Sequence, residues 1–165
     1  MRLRRPNLTP EALAALAIGY FLLVCNSAFW RAALAGRDWS AGSTWGFALA
    51  LAAAFLGVHF LGLVPLLGRR TVRPVLSLLL PLAAGCAWAA EHYGVYFDRA
   101  MLRNMLATHW GEARELLGWG LALQVLVFGL LPAALLWWPR LQPQPWRRAL
   151  GGGLAWSAAA LLVVG

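Results

Sequence analysis

The sequence predicts an all-α membrane protein with five transmembrane helices and one amphipathic helix on the outer membrane surface. Two observations lead to this prediction. Hydrophobic residues make up 61% of the 165 residues and charged residues only 12%, about half the charged share of a soluble domain. The charges are also clustered, so that five uncharged stretches of 17 to 30 residues lie between them. A helix that crosses the hydrocarbon core needs about 17 to 25 apolar residues, and lipid leaves the backbone no other hydrogen-bond partners.

The predicted spans follow these stretches, trimmed where turn residues and interfacial tryptophans mark an end. They cover about residues 11–30, 43–67, 73–92, 117–138 and 149–165. The first helix has a defined start, because Thr9 suits an N-cap, Pro10 a first turn and Glu11 the positive end of the helix dipole. The last stretch reaches Gly165 without a polar flank, and we therefore expect a further domain to follow on the outer side.

The arginines are distributed unequally between the two sides of the predicted membrane. The N-terminus and the loops after the second and fourth spans hold nine arginines and one acid, which together account for the whole net charge of +8. The alternate loops hold equal numbers of both signs. The positive-inside rule then places the N-terminus in the cytoplasm and the C-terminus outside. The membrane topology accounts for the excess of basic residues, and we therefore expect no nucleic-acid partner.

The long outer loop after the third span carries the polar chemistry. Asp98 can cap a helix over about residues 99–117, which would lie on the outer membrane surface with its apolar face down. Asn104, Thr108 and Glu112 recur every four residues and so form a ladder about 12 Å long on the polar face. Their amide, hydroxyl and carboxylate could bind the phosphate and ammonium of a zwitterionic lipid headgroup. The simpler interpretation is an interfacial connector whose polar face is solvated.

This loop also resembles a known family, the bacterial lipid A phosphoethanolamine transferases. The family's periplasmic segment is similar to the run from Tyr93 to Asp98 and to the residues that follow it, namely Met101, Asn104, Thr108, Glu112-Ala113 and Leu116-Leu117. Further matches are Tyr20-Phe21, Asn26 and Phe29-Trp30 in the first span and Arg73-Pro74 at the start of the third. Family members usually carry acidic residues where this sequence has Ala107 and His109.

The resemblance implies a two-part enzyme of the Gram-negative inner membrane. Residues 1–165 would be its N-terminal transmembrane domain, and a periplasmic domain absent from this sequence would carry a zinc-activated threonine nucleophile. The complete enzyme would move phosphoethanolamine from phosphatidylethanolamine to lipid A and so give resistance to polymyxin. Asn104, Thr108 and Glu112 would be headgroup-binding residues, whereas this segment would hold no catalytic residue and no metal ligand.

Two other functions stay open at this point. The chain could be a small non-enzymatic membrane protein, such as a transporter subunit, which would require a functional ionisable group inside a span. His59 is the candidate for such a group. The chain could instead belong to a transferase of another headgroup, such as phosphoglycerol, although Glu112 suits an amine better. Cys25 and Cys86 lie within predicted spans, and we expect them to be packed thiols.

Overall fold

The computed structural model describes residues 5–63, 68–94, 103 and 118–142, and within these residues the chain is mainly helical. Its elements follow the order β1 (Asn7–Leu8), α1 (Pro10–Leu23), α2 (Ser27–Ala33), α3 (Gly42–Leu63), α4 (Val72–Tyr93), α5 (Trp119–Val125), a π-helical turn (Leu126–Leu130), α6 (Leu131–Leu135) and β2 (Arg140–Leu141). The fifth predicted span at 149–165 lies outside the described residues, and so does the predicted amphipathic helix at 99–117, apart from residue 103.

Two helices, α3 and α4, are long and apolar enough to cross a membrane, and each has 22 residues. At 1.5 Å per residue each is about 33 Å long, which matches a hydrocarbon core of about 30 Å. The bent pair α1–α2 gives a third crossing if it is counted as one span, while the apolar stretch Trp119–Leu135 is shorter. The described residues thus form an integral membrane protein with two or three candidate spans, and the predicted total of five stays a prediction.

The first predicted span, at about residues 11–30, is broken in the structure. The axis of α2 is turned by 59° from that of α1. At the break, Asn26 Nδ2 donates to the Phe21 carbonyl and Trp30 Nε1 donates to the Leu22 carbonyl, both at 2.8 Å. These side chains bond carbonyls at the end of α1, and a break at membrane depth is tolerated where such partners exist.

A π-helical turn brings α5 and α6 against α4. Gly129 in this turn is buried, and a Cβ atom added there would lie 2.6 Å from the Cα atom of Pro81. Glycine is therefore what allows the two backbones to approach so closely. The hydroxyl of Tyr20 on α1 donates to the Phe128 carbonyl in the same turn at 2.8 Å. The first, third and fourth predicted spans consequently meet at this point.

A short parallel sheet joins the two ends of the described chain. β1 pairs with β2, close to the first turn of α4. From that turn Arg73 donates through Nε to the Leu136 carbonyl at 3.1 Å and through Nη2 to the Pro139 carbonyl. The all-α prediction is corrected here to a mainly helical fold with one two-stranded sheet, because strands of two residues are too short to show an alternating pattern.

The packing is that of a membrane protein, with a small core and an apolar exterior. Ile18 of α1 and Leu76 and Leu80 of α4 are almost fully buried. Large apolar side chains such as Leu78 and Leu82 lie exposed on the outside of α4. A helix that is apolar on all sides suits a lipid environment, where these outer leucines contact acyl chains.

Candidate functional site

The residues predicted to bind a lipid headgroup, Asn104, Thr108 and Glu112, lie outside the described residues. The described part of the preceding helix ends at Gly94, whose φ of 61° is left-handed and terminates α4. The role of the three residues therefore stays a prediction. The described residues nevertheless form a polar group at the end of α4 that leads into this loop.

This group, the outer-end cluster, consists of Ser27 and Arg31 on α2 and Glu91 on α4. The Ser27 hydroxyl donates to Glu91 Oε1, and Arg31 Nη2 lies 3.7 Å from the same oxygen. Ser27 and Arg31 are four residues apart and hence share one face of α2. Sequence reasoning missed the cluster because Ser27 and Glu91 are 64 positions apart. The spacing of Ser27 and Arg31 was the one local signal.

The outer-end cluster lies at the end of α4 opposite to Arg73, and its name follows the predicted topology. Arg73 and Glu91 are 18 residues apart on this helix, which corresponds to about 27 Å along its axis. That length is close to the thickness of a hydrocarbon core, about 30 Å. With Arg73 at one surface, Glu91 therefore reaches the other. The Arg31 and Glu91 side chains are 68% and 33% exposed, so both charges are accessible to a ligand.

Aromatic side chains surround the same end of α4. The Trp88 ring stacks on the ring of His92 with 4.3 Å between centroids, and it meets Tyr93 edge-on at 5.3 Å. His92 Nδ1 lies 3.1 Å from the Trp88 carbonyl. Tryptophan and tyrosine are enriched where a membrane meets water, in agreement with the depth assigned to Glu91.

The turn between α2 and α3 satisfies its own polar groups. The Asp38 carboxylate accepts hydrogen bonds from the Ser40 backbone N–H at 2.9 Å and from the Ser40 hydroxyl at 2.8 Å. The backbone bond, followed by the hydroxyl bond, holds the pKa of Asp38 below its usual value. Thr44 Oγ1 donates to the Asp38 carbonyl at 2.6 Å, and the Arg37 guanidinium lies 3.6 Å from the centre of the Phe47 ring. The turn is thus a structural connection.

The ionisable residue inside the second span is bonded within its own helix. His59 Nδ1 lies 2.8 Å from the Phe55 carbonyl one turn earlier, and the two rings stack at 3.8 Å between centroids. This arrangement favours a structural role for His59.

The thiols of Cys25 and Cys86 are free. Both Glu11 carboxylate oxygens are buried and accept no hydrogen bond from the described residues. Glu11 lies in the first turn of α1, where the helix dipole stabilises a carboxylate.

A zinc site would require several ligating side chains in one place. Within 5–63, 68–94, 103 and 118–142, no three His, Cys, Asp or Glu side chains come together. These residues do not fit a zinc ion, and zinc in a further domain stays a prediction.

The described helices define an integral membrane domain in which polar side chains meet at one end of α4. The family model described as "Phosphoethanolamine transferase EptA/EptB" matches residues 55–165. This is more than half of the chain, and the chain belongs to that family. The resemblance noted in the outer loop is thereby confirmed.

Relatives and a solved structure extend the similarity to nearly the whole chain. The chain is 26% identical over 161 residues to phosphatidylethanolamine transferase Mcr-2 from Escherichia coli and 26% identical over 162 residues to Mcr-1 from the same organism. Each match covers 97% of this chain but only 30% and 29% of the two relatives.

The integral membrane protein lipooligosaccharide phosphoethanolamine transferase A (EptA) from Neisseria meningitidis has a similar fold. Its TM-score with this chain is 0.79 at 21% identity, and the match covers 96% of this chain and 30% of that one. This chain therefore spans about 30% of the length of these similar proteins.

Proposed function

We propose that this chain is the membrane domain of an enzyme that moves phosphoethanolamine from phosphatidylethanolamine to lipid A. The observation that carries the proposal is the family match over residues 55–165. The relatives Mcr-1 and Mcr-2, which are named as phosphatidylethanolamine transferases, support the choice of donor. An added amine would offset the negative charge of a lipid A phosphate, so that cationic peptides such as polymyxin would bind the cell surface less strongly.

The chain's own share in this reaction would be to hold the lipid at a fixed depth. Group transfer gains most from positioning and from electrostatic stabilisation of the transition state. A membrane domain supplies the positioning, while the threonine nucleophile and its zinc would belong to a periplasmic domain outside this sequence. The share of the relatives that the chain covers, about 30%, supports this division.

The proposed topology has five spans, a cytoplasmic N-terminus and a periplasmic C-terminus in the inner membrane. The position of the described charges supports it. Arg73 bonds the Pro139 carbonyl beside Arg140, so these two arginines lie at one end of the bundle. Arg31 and Glu91 form a neutral pair at the other end. The arginine-rich end would be the cytoplasmic one.

The proposed headgroup site on the amphipathic helix consists of Asn104, Thr108 and Glu112. In this proposal the Glu112 carboxylate pairs with the ammonium of phosphatidylethanolamine, and the Asn104 amide and Thr108 hydroxyl donate to its phosphate oxygens. A glycerol headgroup offers no cation to Glu112, which disfavours a phosphoglycerol transferase.

The proposed function is tested by producing the full-length protein in a polymyxin-sensitive Gram-negative strain. Mass spectrometry of lipid A should show an added phosphoethanolamine, and the polymyxin concentration needed to stop growth should rise. A strain with the empty vector is the control. Unmodified lipid A despite normal protein in the membrane, or an added phosphoglycerol, would contradict the proposal.

A further inference from the structure

We propose that Ser27, Arg31 and Glu91 form a second binding site for the headgroup of a zwitterionic phospholipid, separate from Asn104, Thr108 and Glu112. Glu91 would bind the ammonium and Arg31 the phosphate. The inference deepens the proposed function and rests on it for one point, that the lipid is the phosphoethanolamine-bearing type used as donor.

The charges of the cluster match such a headgroup in kind, and on both molecules the two charges lie close together. The guanidinium and carboxylate lie 3.7 Å apart, and in phosphatidylethanolamine two carbons separate the phosphate oxygen from the ammonium nitrogen. A guanidinium is a planar fork that can donate two parallel hydrogen bonds to phosphate. A carboxylate accepts hydrogen bonds from an ammonium. Each charge of the lipid therefore meets its opposite charge on the protein.

The cluster also has unused hydrogen-bonding capacity. Both Ser27 and Arg31 contact the same oxygen of Glu91, Oε1. The Arg31 distance of 3.7 Å is too long for a hydrogen bond. Among the described residues, Glu91 Oε2 and the Arg31 guanidinium have no hydrogen-bond partner, so both can bind a ligand without breaking a protein bond.

A purely structural ion pair explains the arrangement less well. Exposed ion pairs contribute little to stability, and the Arg31 side chain is 68% exposed. The bend between α1 and α2 is already fixed by the bonds of Asn26 and Trp30 to carbonyls of α1. The pair is thus not needed to hold the bend, yet both charges lie where lipid headgroups lie.

The position and net charge of the cluster indicate which lipid it would select. Glu91 is at the membrane surface beside the Trp88 and Tyr93 rings, so a lipid headgroup reaches it more readily than a soluble molecule. An anionic headgroup offers Glu91 no cation to bind, so it should bind the pair less well than a zwitterionic one. A choline headgroup has no N–H group to donate, and it should bind less well than an ethanolamine headgroup.

The test measures lipid binding by the full-length protein in nanodiscs that contain phosphatidylethanolamine, phosphatidylglycerol and phosphatidylcholine in equal amounts. Native mass spectrometry counts the lipids that stay bound. Glu91→Gln and Arg31→Gln should each weaken phosphatidylethanolamine retention about tenfold, as expected for the loss of one charge-assisted hydrogen bond. Retention of phosphatidylglycerol should not fall. Arg37→Gln, which removes another exposed arginine of the outer side, is the matched control and should leave retention unchanged.

Two further variants distinguish lipid binding from a purely structural ion pair that holds α2 against α4. Arg31→Lys keeps the charge but removes the fork, so it should weaken retention while the thermal midpoint stays within error of the wild type. The double variant Arg31→Glu with Glu91→Arg restores an ion pair between α2 and α4 but reverses its direction. Because the acyl chains fix how the headgroup enters, we expect this swap to stay defective in retention.

Recovery of phosphatidylethanolamine retention by the swap would overturn the proposal. A structural ion pair tolerates exchange of its two charges, whereas binding of an oriented headgroup does not. Unchanged retention in both Glu91→Gln and Arg31→Gln would also overturn it. These outcomes concern lipid retention in the absence of transfer. If lipid A is still modified by such variants, the second site fails while the proposed transferase function stands.

Discussion

Asn26 and Trp30 donate side-chain hydrogen bonds to backbone carbonyls where α1 ends, and the Phe21 carbonyl also accepts from the Cys25 backbone N–H. Each side chain bonds a carbonyl of the last turns of α1 at 2.8 Å. Inside a membrane an unpaired carbonyl is costly because lipid provides no replacement donor. His59 Nδ1 likewise lies beside a backbone carbonyl, that of Phe55 in its own helix. At the scale of single residues, these three polar side chains in the spans contact backbone carbonyls of their own helix or of the helix before it.

Replacement of Asn26 by leucine should therefore destabilise the protein. The variant keeps the branched shape of the side chain but removes its hydrogen bond to the Phe21 carbonyl, which still accepts from the Cys25 backbone N–H. We expect a loss of about 0.5–1.5 kcal/mol, the net contribution of one hydrogen bond. Thermal unfolding in detergent, followed by size-exclusion chromatography, measures the midpoint. Gln124→Leu on α5 is the control, because the Gln124 side chain makes no hydrogen bond to the described residues, and it should change the midpoint little. Equal midpoints for the two variants would contradict the assigned role of Asn26.

Glu112 offers a test of the predicted headgroup ladder at the same scale. Glu112→Gln keeps the shape and the hydrogen-bonding oxygen but removes the negative charge that would pair with the lipid ammonium. In the full-length protein we expect lipid A modification to fall about tenfold or more, as for the loss of one charge-assisted bond, with the amount of membrane protein unchanged. Glu115→Gln removes a charge that does not belong to the ladder of Asn104, Thr108 and Glu112, and it should leave lipid A modification near the wild-type level. Equal modification by wild type and Glu112→Gln would remove Glu112 from the site.

At the scale of elements, the sequence correctly predicted those helices and caps that are determined by residues close together in the chain. α3 and α4 overlap the predicted spans because a long apolar run specifies a membrane helix by itself. The predicted N-cap is also confirmed, since Thr9 Oγ1 accepts from the Ala12 backbone N–H at 3.1 Å. By contrast, the π-helical turn depends on Gly129 meeting Pro81, and no local pattern encodes a contact between residues so far apart.

The candidate sites divide in the same way. The ladder of Asn104, Thr108 and Glu112 is predicted from helical spacing and a family resemblance within one segment, and it stays a prediction because that segment lies outside the described residues. The outer-end cluster could not, because Ser27 and Glu91 come from different helices and meet only once α2 has turned by 59° from α1. Local sequence thus indicated the segment with polar chemistry, whereas packing determined which distant charges were brought together.

The contact of Gly129 with Pro81 leads to a prediction for the element that contains it. In Gly129→Ala, the new Cβ would overlap the α4 backbone, since 2.6 Å from the Pro81 Cα is too close for two carbons. We expect a loss of about 1–3 kcal/mol from overpacking and a lower thermal midpoint. Gly46→Ala in α3 is the matched control, because no atom outside its own helix lies within 4 Å of that Cβ. There alanine should be neutral or stabilising by up to about 1 kcal/mol. A tolerated alanine at position 129 would show that the π-helical turn does not require close contact.

At the scale of the whole molecule, the described charges differ between the two ends of the helices, and short polar contacts hold each end together. The sheet of β1 and β2 and the bonds of Arg73 to the Leu136 and Pro139 carbonyls tie the arginine-rich end together. The opposite end carries the neutral pair of Arg31 and Glu91. Because arginine-rich ends usually stay in the cytoplasm, we expect this end to be the cytoplasmic one.

Single cysteines at the two ends test that orientation directly. In a background with Cys25 and Cys86 replaced by alanine, Ala35→Cys would place a thiol in the exposed turn after α2, and Gln142→Cys would place one beside β2 at the arginine-rich end. Because the positive-inside rule puts the second of these in the cytoplasm, a membrane-impermeant maleimide added to cells with a permeabilised outer membrane should label Ala35→Cys alone. Lysis before labelling should make both thiols reactive, which controls for burial. If the reagent labels Gln142→Cys in intact inner membranes and spares Ala35→Cys, the orientation is reversed, and the outer-end cluster then faces the cytoplasm, away from any periplasmic catalytic domain.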